Sequence, residues 1–531
     1  MCFAKTRRWM EFYLVAVLLF YFASLAGAQS TASSPPAGPS LAEKRAELNL
    51  LAARANPLAL RHFLLGMPKG ADLHNHLAGA VYAESWIRSA AEDHLCVDLK
   101  EHSYSKPKAA STGDSAPSVC NNGKVPAEEA FKNQELYDAL VDAFSMRGFV
   151  PSSGNTGHNH FFSTFDKFFP AYPGHLGEWV DEVATRAAVQ NEQYLELMHT
   201  PGYGQAASVA HEIGWRDDLA ALRIALLKRG IGGELSLARA ELDQAEVVRR
   251  KSEHCGQPDA TAACRVEVRF LCQVLRGFPK EIVFAQTLSC FELAKVDARY
   301  VGINFVMPED GYTSMTDYAL QMRMVGFLHD LYPKVHISLH AGELAPGLVP
   351  YEGLCCHIRL AVEQAHAERI GHGVDVMYEE KPHELLKEMA EKHVMAEINL
   401  TSNSVILGVS GKEHPLSIYR QFHVPVALST DDEGVSRIDM THEFVRAVET
   451  YGLGYVDLKQ MVRTSMEHTF LPGQSLWVAP DEFGRVVPAC TSDSRSAEKL
   501  SPSCGDFLRA NEKARAQWEL ERRFVAFEGS L

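Results

Sequence analysis

Hydrophobic positions along this chain follow two alternating periods. Short runs, apolar almost throughout, occur at MPKGADLHNH (67–76), QYLELMH (193–199), RVEVRFLCQVL (265–275), YVGINFV (300–306), VHISLHAGE (335–343), RIGHGVDV (369–376), MAEINLTSN (395–403) and VPVALSTDDEG (424–434). Runs of this kind, bounded by polar residues, predict strands covered on both faces, as in a parallel sheet. Between them, 217–230, 318–332 and 382–393 carry apolar residues at helical spacing, and 41–65 predicts one or two helices ahead of the first strand. Eight strands alternating with helices predict one α/β domain over 41–531, a (β/α)8 barrel of the TIM type. A long insertion, about 81–190, follows its first strand. A helical tail, about 476–531, ends in an amphipathic segment (506–527) expected to pack outside the barrel.

Polar residues collect where these strands end. Residues i and i+2 of a strand share a face, so His74 and His76 leave the first strand on the same side. The fifth run ends in His340-Ala341-Gly342-Glu343, the sixth carries His372 between two glycines, the seventh ends in Ser402-Asn403 and the eighth in Asp431-Asp432. Singly, each has an ordinary reading: a satisfied core histidine, a tight turn, a helix N-cap. A parallel barrel brings all of them to one mouth. His74, His76, His340 and Asp431 then offer three imidazoles and a carboxylate, with a position left for water, which suits one catalytic Zn²⁺. The fourth strand ends near Asn304 and has no lysine to bridge a second metal. His158-x-His160 follows SSGNTG rather than an apolar strand, and reads as a lid in which Phe161, Phe162 and Phe165 cover a ligand.

Composition narrows the setting. A hydrophobic content of 46% is that of a globular protein, and a net charge of −15 argues against nucleic acid or an anionic membrane as partner. Residues 1–28 join a basic start (Lys5, Arg7, Arg8) to a short apolar run and Ala26-Gly27-Ala28, the pattern of a secretory signal peptide. A flexible lead-in, 29–40, follows it. A secreted or periplasmic protein is therefore expected. Cys96/Cys120, Cys255/Cys264 and Cys490/Cys504 flank polar loops and are plausible disulfides, whereas Cys272, Cys290, Cys355 and Cys356 sit in apolar or helical contexts and read as buried thiols.

The motifs MPKGADLHNHLAGA, SLHAGE, RIGHGVD, TSN and STDDEG, in this order, resemble the adenosine deaminase family of metal-dependent amidohydrolases, and more closely its secreted, growth-factor-related branch. The resemblance covers about 67–475. It implies that Glu343 donates a proton to ring N1 of an aminopurine, and that His372 orients the attacking water or takes its proton. Asp432, on the opposite face of the strand end, would bond N7, and Met307 and Ser402 would contact the substrate. The substrate would be adenosine or deoxyadenosine. Ala78 stands where many members have an aspartate for the ribose 5′-hydroxyl, and Met307 stands in place of a glycine. Asn399-Leu400 replaces Cys-Pro, and Glu433 replaces Pro. A modified adenosine or another aminated heterocycle is therefore a close alternative, and a non-catalytic growth-factor-like adenosine binder a more distant one.

Overall fold

Asp431 closes the barrel. Its backbone N–H donates to His74 O and its carbonyl accepts from His76 N–H, both at 2.9 Å, so the last segment pairs with the first. The computed structural model describes residues 38–107, 120–121, 123–172, 174–497 and 499–531; the expected signal peptide and most of the lead-in lie outside them. Eight parallel strands run in sequential order: β1 (Gly70–His76), β2 (Glu192–His199), β3 (Glu267–Leu275), β4 (Tyr300–Val306), β5 (His336–Ala341), β6 (Arg369–His372), β7 (Met395–Ile398) and β8 (Val426–Leu428). This is the expected TIM barrel. Its strands are buried on both faces, which is why they lack polar alternation.

Four strands are shorter than their apolar runs. β5 stops at Ala341, β6 at His372, β7 at Ile398 and β8 at Leu428, so Glu343, Ser402, Asp431 and Asp432 sit on turns or helix starts beyond the ladder. Leu400–Leu407 is a helix, not the end of a strand. The helices Leu41–Ala53 and Pro57–Gly66 precede β1, the second capped by Asn56, whose side chain accepts from Leu58 and Ala59 N–H. The expected terminal helix is broken at Asn511, with Pro502–Ala510 before it and Glu512–Ser530 after it.

The insertion contains a three-stranded antiparallel sheet and the helix Gly157–Phe168. Thr156 caps this helix, its Oγ1 accepting from Asn159 N–H at 3.1 Å. Disulfides join Cys96–Cys120, Cys255–Cys264 and Cys490–Cys504 as expected. Two further pairs, Cys272–Cys290 and Cys355–Cys356, correct the expectation of buried thiols. Cys272 lies on β3 and Cys290 on the helix Lys280–Val296 that packs against it, which brings their Cα atoms to 5.5 Å, within disulfide reach. Among the described residues, no helix is long and apolar enough to cross a membrane.

Candidate active site

Three imidazoles and a carboxylate meet at the C-terminal mouth of the barrel. His76 Nε2 lies 3.2 Å from His340 Nε2. Asp431 Oδ1 lies 3.4 Å from His74 Nε2 and 3.3 Å from His76 Nε2. Buried His74 Nε2 has no hydrogen-bond partner. Nitrogens directed at one another and an orphaned buried ring nitrogen are costly unless a cation takes their lone pairs. The four residues expected to hold a metal therefore fit one.

The distal nitrogens are held from behind by residues on other strands. His74 Nδ1 is 2.6 Å from Glu397 Oε2, His76 Nδ1 is 3.2 Å from Gln273 Oε1, and His340 Nδ1 is 2.7 Å from Asn304 Oδ1. Each Nδ1–H donates to an oxygen, which leaves each Nε2 bare and facing inward. Glu397 also pairs with Arg369 Nε at 2.8 Å and accepts from Ser338 Oγ–H at 3.0 Å. Burial alone would raise the Glu397 pKa, but Arg369 and His74 hold it below the usual range, so it remains an anion.

Backbone strain marks the same residues. His372 and Asp431 adopt left-handed conformations (φ 69° and 61°), as does Met307 (φ 88°). Such conformations persist where the surrounding structure over-determines them, often at functional sites. The turn at Asp431 also cancels the alternation of a strand. Asp432 therefore does not point away from its neighbour as expected; both carboxylates line one cavity. A Cβ on Gly79 would overlap the Asp432 carboxylate, so the glycine after the His pair is needed for this close approach.

The cavity holds about 590 Å³ and is lined by His76, Glu343 and Asp431 at its floor and by Phe161, Phe162 and Phe165 along one wall. The aromatic wall is the helix Gly157–Phe168, consistent with the lid reading, although the segment is a helix rather than a loop. His158 is not a metal ligand here, since its Nε2 pairs with Asp310 at 2.9 Å and ties the lid to the turn after β4. Met307 also lines the cavity. Ser402 does not: the helical turn beginning at Leu400 buries it, and Asn403, one residue on, reaches toward His372 instead.

Charge in this site is set by burial. Burial, then Asp431 and Glu309, push the Glu343 carboxyl well above its usual pKa, which favours the protonated form that can donate. Burial and Asp431 do the same to Asp432. Burial would also raise Asp431, but the imidazoles of His74, His76 and His372 around it hold it well below the carboxylate range. The turn that carries Glu343 is clamped by Glu309, which accepts from Gly342 N–H at 3.0 Å and Glu343 N–H at 2.8 Å and is paired with His357. Gln273, Glu309 and Glu397 were not singled out in the sequence, and Asn403 was noted only beside Ser402 at a strand end, with no role. A lone glutamate inside the apolar run MAEI was the one available signal.

Residues 176–476 match the sequence profile of the family described as adenosine deaminase. An adenosine deaminase of Clostridium perfringens is 35% identical over 135 residues, 25% of this chain and 37% of the relative. Another, of Mycobacteroides abscessus, is 28% identical over 313 residues, 56% of this chain and 80% of the relative. The chain thus spans little more than a third of the length of several curated relatives that it matches. Among solved structures, an adenine deaminase from Arthrobacter aurescens aligns over 76% of this chain and 94% of its own, at 15% identity and a TM-score of 0.47. On the profile match, which covers more than half of its length, the chain belongs to the adenosine deaminase family.

Proposed function

We propose that the protein is a secreted, zinc-dependent hydrolytic deaminase that converts adenosine or deoxyadenosine to the inosine form and releases ammonia. One observation carries this reading: three inward-facing imidazole nitrogens and Asp431 converge on one point, and Glu343, whose carboxyl pKa burial raises, faces the same cavity. A 6-aminopurine carbon is a poor electrophile. Hydrolysis at that carbon needs both an activated water and a proton on the ring.

Bound by His74, His76, His340 and Asp431, Zn²⁺ supplies the Lewis acidity that brings the pKa of a water toward neutrality. Glu343, whose protonated form burial favours, donates its proton to ring N1, which makes C6 electrophilic. Asp432, whose pKa is raised in the same way, accepts or shares a hydrogen bond at N7. His372, whose Nε2 lies 3.7 Å from Glu343 Oε1 and 4.0 Å from Asp431 Oδ2, would orient the attacking water. Phe161, Phe162 and Phe165 stack near the base and exclude water, while Asp166 and Thr200 on the cavity wall suit the ribose hydroxyls. Asp166 is a carboxylate in the same cavity lining that includes Ala78.

Export is supported by the signal-like start and by the five disulfides, which persist in oxidising compartments. A modified adenosine or another aminated heterocycle is the second reading, favoured by Met307, whose side chain lies in the cavity wall. A non-catalytic growth-factor-like role is disfavoured by the complete donor set. The test is ammonia release from purified protein on adenosine, deoxyadenosine, adenine and AMP, with and without chelator. Chelator-sensitive turnover of adenosine supports the proposal, and inactivity on every 6-aminopurine overturns it.

A further inference from the structure

Four imidazoles surround the cation site, and His372 is the fourth; its Nε2 lies 4.0 Å from Asp431 Oδ2 and 3.7 Å from Glu343 Oε1. Distance alone would let it join the ligands, since His74, His340, His372 and Asp431 have donor atoms within 4.8 Å of one another. What separates the rings is the chemistry behind them. His74, His76 and His340 each face an oxygen through Nδ1. Gln273 and Asn304 are oriented by their own amide N–H groups, which donate to Thr200 Oγ1 at 2.9 Å and to Ser338 Oγ at 3.1 Å.

His372 is the exception. Its Nδ1 lies 2.8 Å from Asn403 Nδ2, with Asn399 Nδ2 at 3.4 Å, and both are donors. The Asn403 amide cannot turn over freely, because its Oδ1 is 2.9 Å from His414 Nε2. His414 is set in turn: its Nδ1 accepts the Leu416 N–H at 3.2 Å, so its proton is on Nε2. All three side chains are buried, and burial lowers the His414 pKa to about 4, which leaves the ring neutral with one donor and one acceptor. The direction of every bond in the chain follows from the Leu416 amide.

We propose that His414 and Asn403 are positioning residues that lock His372 in its Nε2–H tautomer, bar it from the metal's ligand set and commit it as a hydrogen-bond donor to the attacking water. The inference rests on the deaminase reading and sharpens it: His372 orients the oxygen and does not take its proton. His414 is 42 residues from His372 in the chain and touches neither cation nor substrate site. Its influence passes entirely through one amide.

Three variants test this. In Asn403→Asp the carboxylate can only accept, so His372 turns to the Nδ1–H tautomer and its Nε2 becomes a free donor for metal. His414→Phe removes the group that orients Asn403. His414→Gln keeps an amide N–H for Asn403 Oδ1 and is the conservative rescue. Nitrogen NMR of ¹⁵N-histidine-labelled, metal-free protein, with His372 assigned by its loss in His372→Gln, reads the tautomer. The visible spectrum of the Co²⁺-loaded protein reads the ligand set.

The expected result is an Nε2–H His372 in the parent and in His414→Gln, and an Nδ1–H ring with an altered cobalt spectrum in Asn403→Asp. On adenosine, kcat of Asn403→Asp and His414→Phe falls on the order of 10²-fold while KM moves less than about threefold. An Nδ1–H His372 in the parent, or a His414→Phe variant with parental tautomer and kcat, overturns the proposal. If the parent does not deaminate adenosine, the functional reading fails, and the tautomer and cobalt spectra still decide this one. Should either substitution prevent folding, the parent and His414→Gln spectra suffice.

Discussion

Glu397, on β7, holds His74, on β1, across the interior of the barrel: its Oε2 is 2.6 Å from His74 Nδ1, and neither side chain has exposed surface. These strands are not neighbours in the sheet. The contact therefore reaches past β8, which lies between them, and links a ring of the candidate metal site to an anion that is itself fixed by Arg369. Replacing Glu397 with Gln keeps the shape and removes the charge. Metal affinity is expected to fall about 10- to 100-fold, measured by competition with a chromophoric chelator. An unchanged affinity would show that His74 needs no anion behind it.

Glu343→Gln separates proton donation from metal binding. The amide fills the same space but has no acidic proton, so kcat on adenosine is expected to fall on the order of 10³-fold, with one metal per chain retained. Parental rates in this variant would mean that another group protonates the ring. Loss of metal in parallel would mean that Glu343 belongs to the ligand set.

Acid stability is expected to depend on Glu309. Burial would raise its pKa, but His357, then Arg276 and the Gly342 amide, hold it at about 2, against an ordinary 4.5. A carboxyl with a depressed folded pKa stabilises the protein above its unfolded value, and that contribution is lost as pH falls from about 4.5 toward 2. The difference corresponds to about 3 kcal/mol at neutral pH. Urea unfolding of Glu309→Gln is expected to show a deficit at pH 7 that narrows toward pH 3. A deficit that does not change with pH would assign the loss to packing alone.

Met307 carries a left-handed backbone (φ 88°), a conformation costing about 1–3 kcal/mol for a residue with a side chain. Its side chain is 39% exposed and lies beside Gly277 at the cavity wall. Met307→Gly is expected to match or exceed the parent in thermal stability and to turn over purines with larger N6 substituents. A narrower panel, or a large fall in Tm, would show that the methionine supports the pocket rather than restricting it.

Asp166 offers a direct test of sugar recognition. It is an exposed residue of the lid helix that lines the cavity and has no part in the candidate metal site, so Asp166→Asn is expected to raise KM for adenosine about tenfold with little change in kcat. Activity on adenine, which has no ribose, should be unaffected by it. Equal effects on both would place Asp166 at the base or in the lid.

Much of the fold was legible because barrel strands carry a local signature. Both faces of β2, β4, β5 and β7 are buried, so each reads as an apolar run that needs no knowledge of its partners. His74, His76, His340 and Asp431 were legible for a related reason: polar residues at the ends of such runs are conspicuous. Ser402 misled because its run continued past Ile398 into a helix with no change in hydrophobicity. Cys272 and Cys290 misled because an apolar context says nothing of a partner 18 residues away.

Local periodicity and residue type determined by themselves the eight-strand alternation, the ligands offered and the acid beside them. Only the tertiary structure decided what state those groups occupy. An imidazole binds metal through whichever nitrogen its neighbours leave bare, and a carboxyl stays neutral only where water is excluded. Glu397, Gln273, Asn304 and Asn403, which settle the ring tautomers, and the enclosing wall that raises the Glu343 pKa, all arrive from other strands and helices. They resemble ordinary polar residues until the barrel closes and brings them within hydrogen-bond distance.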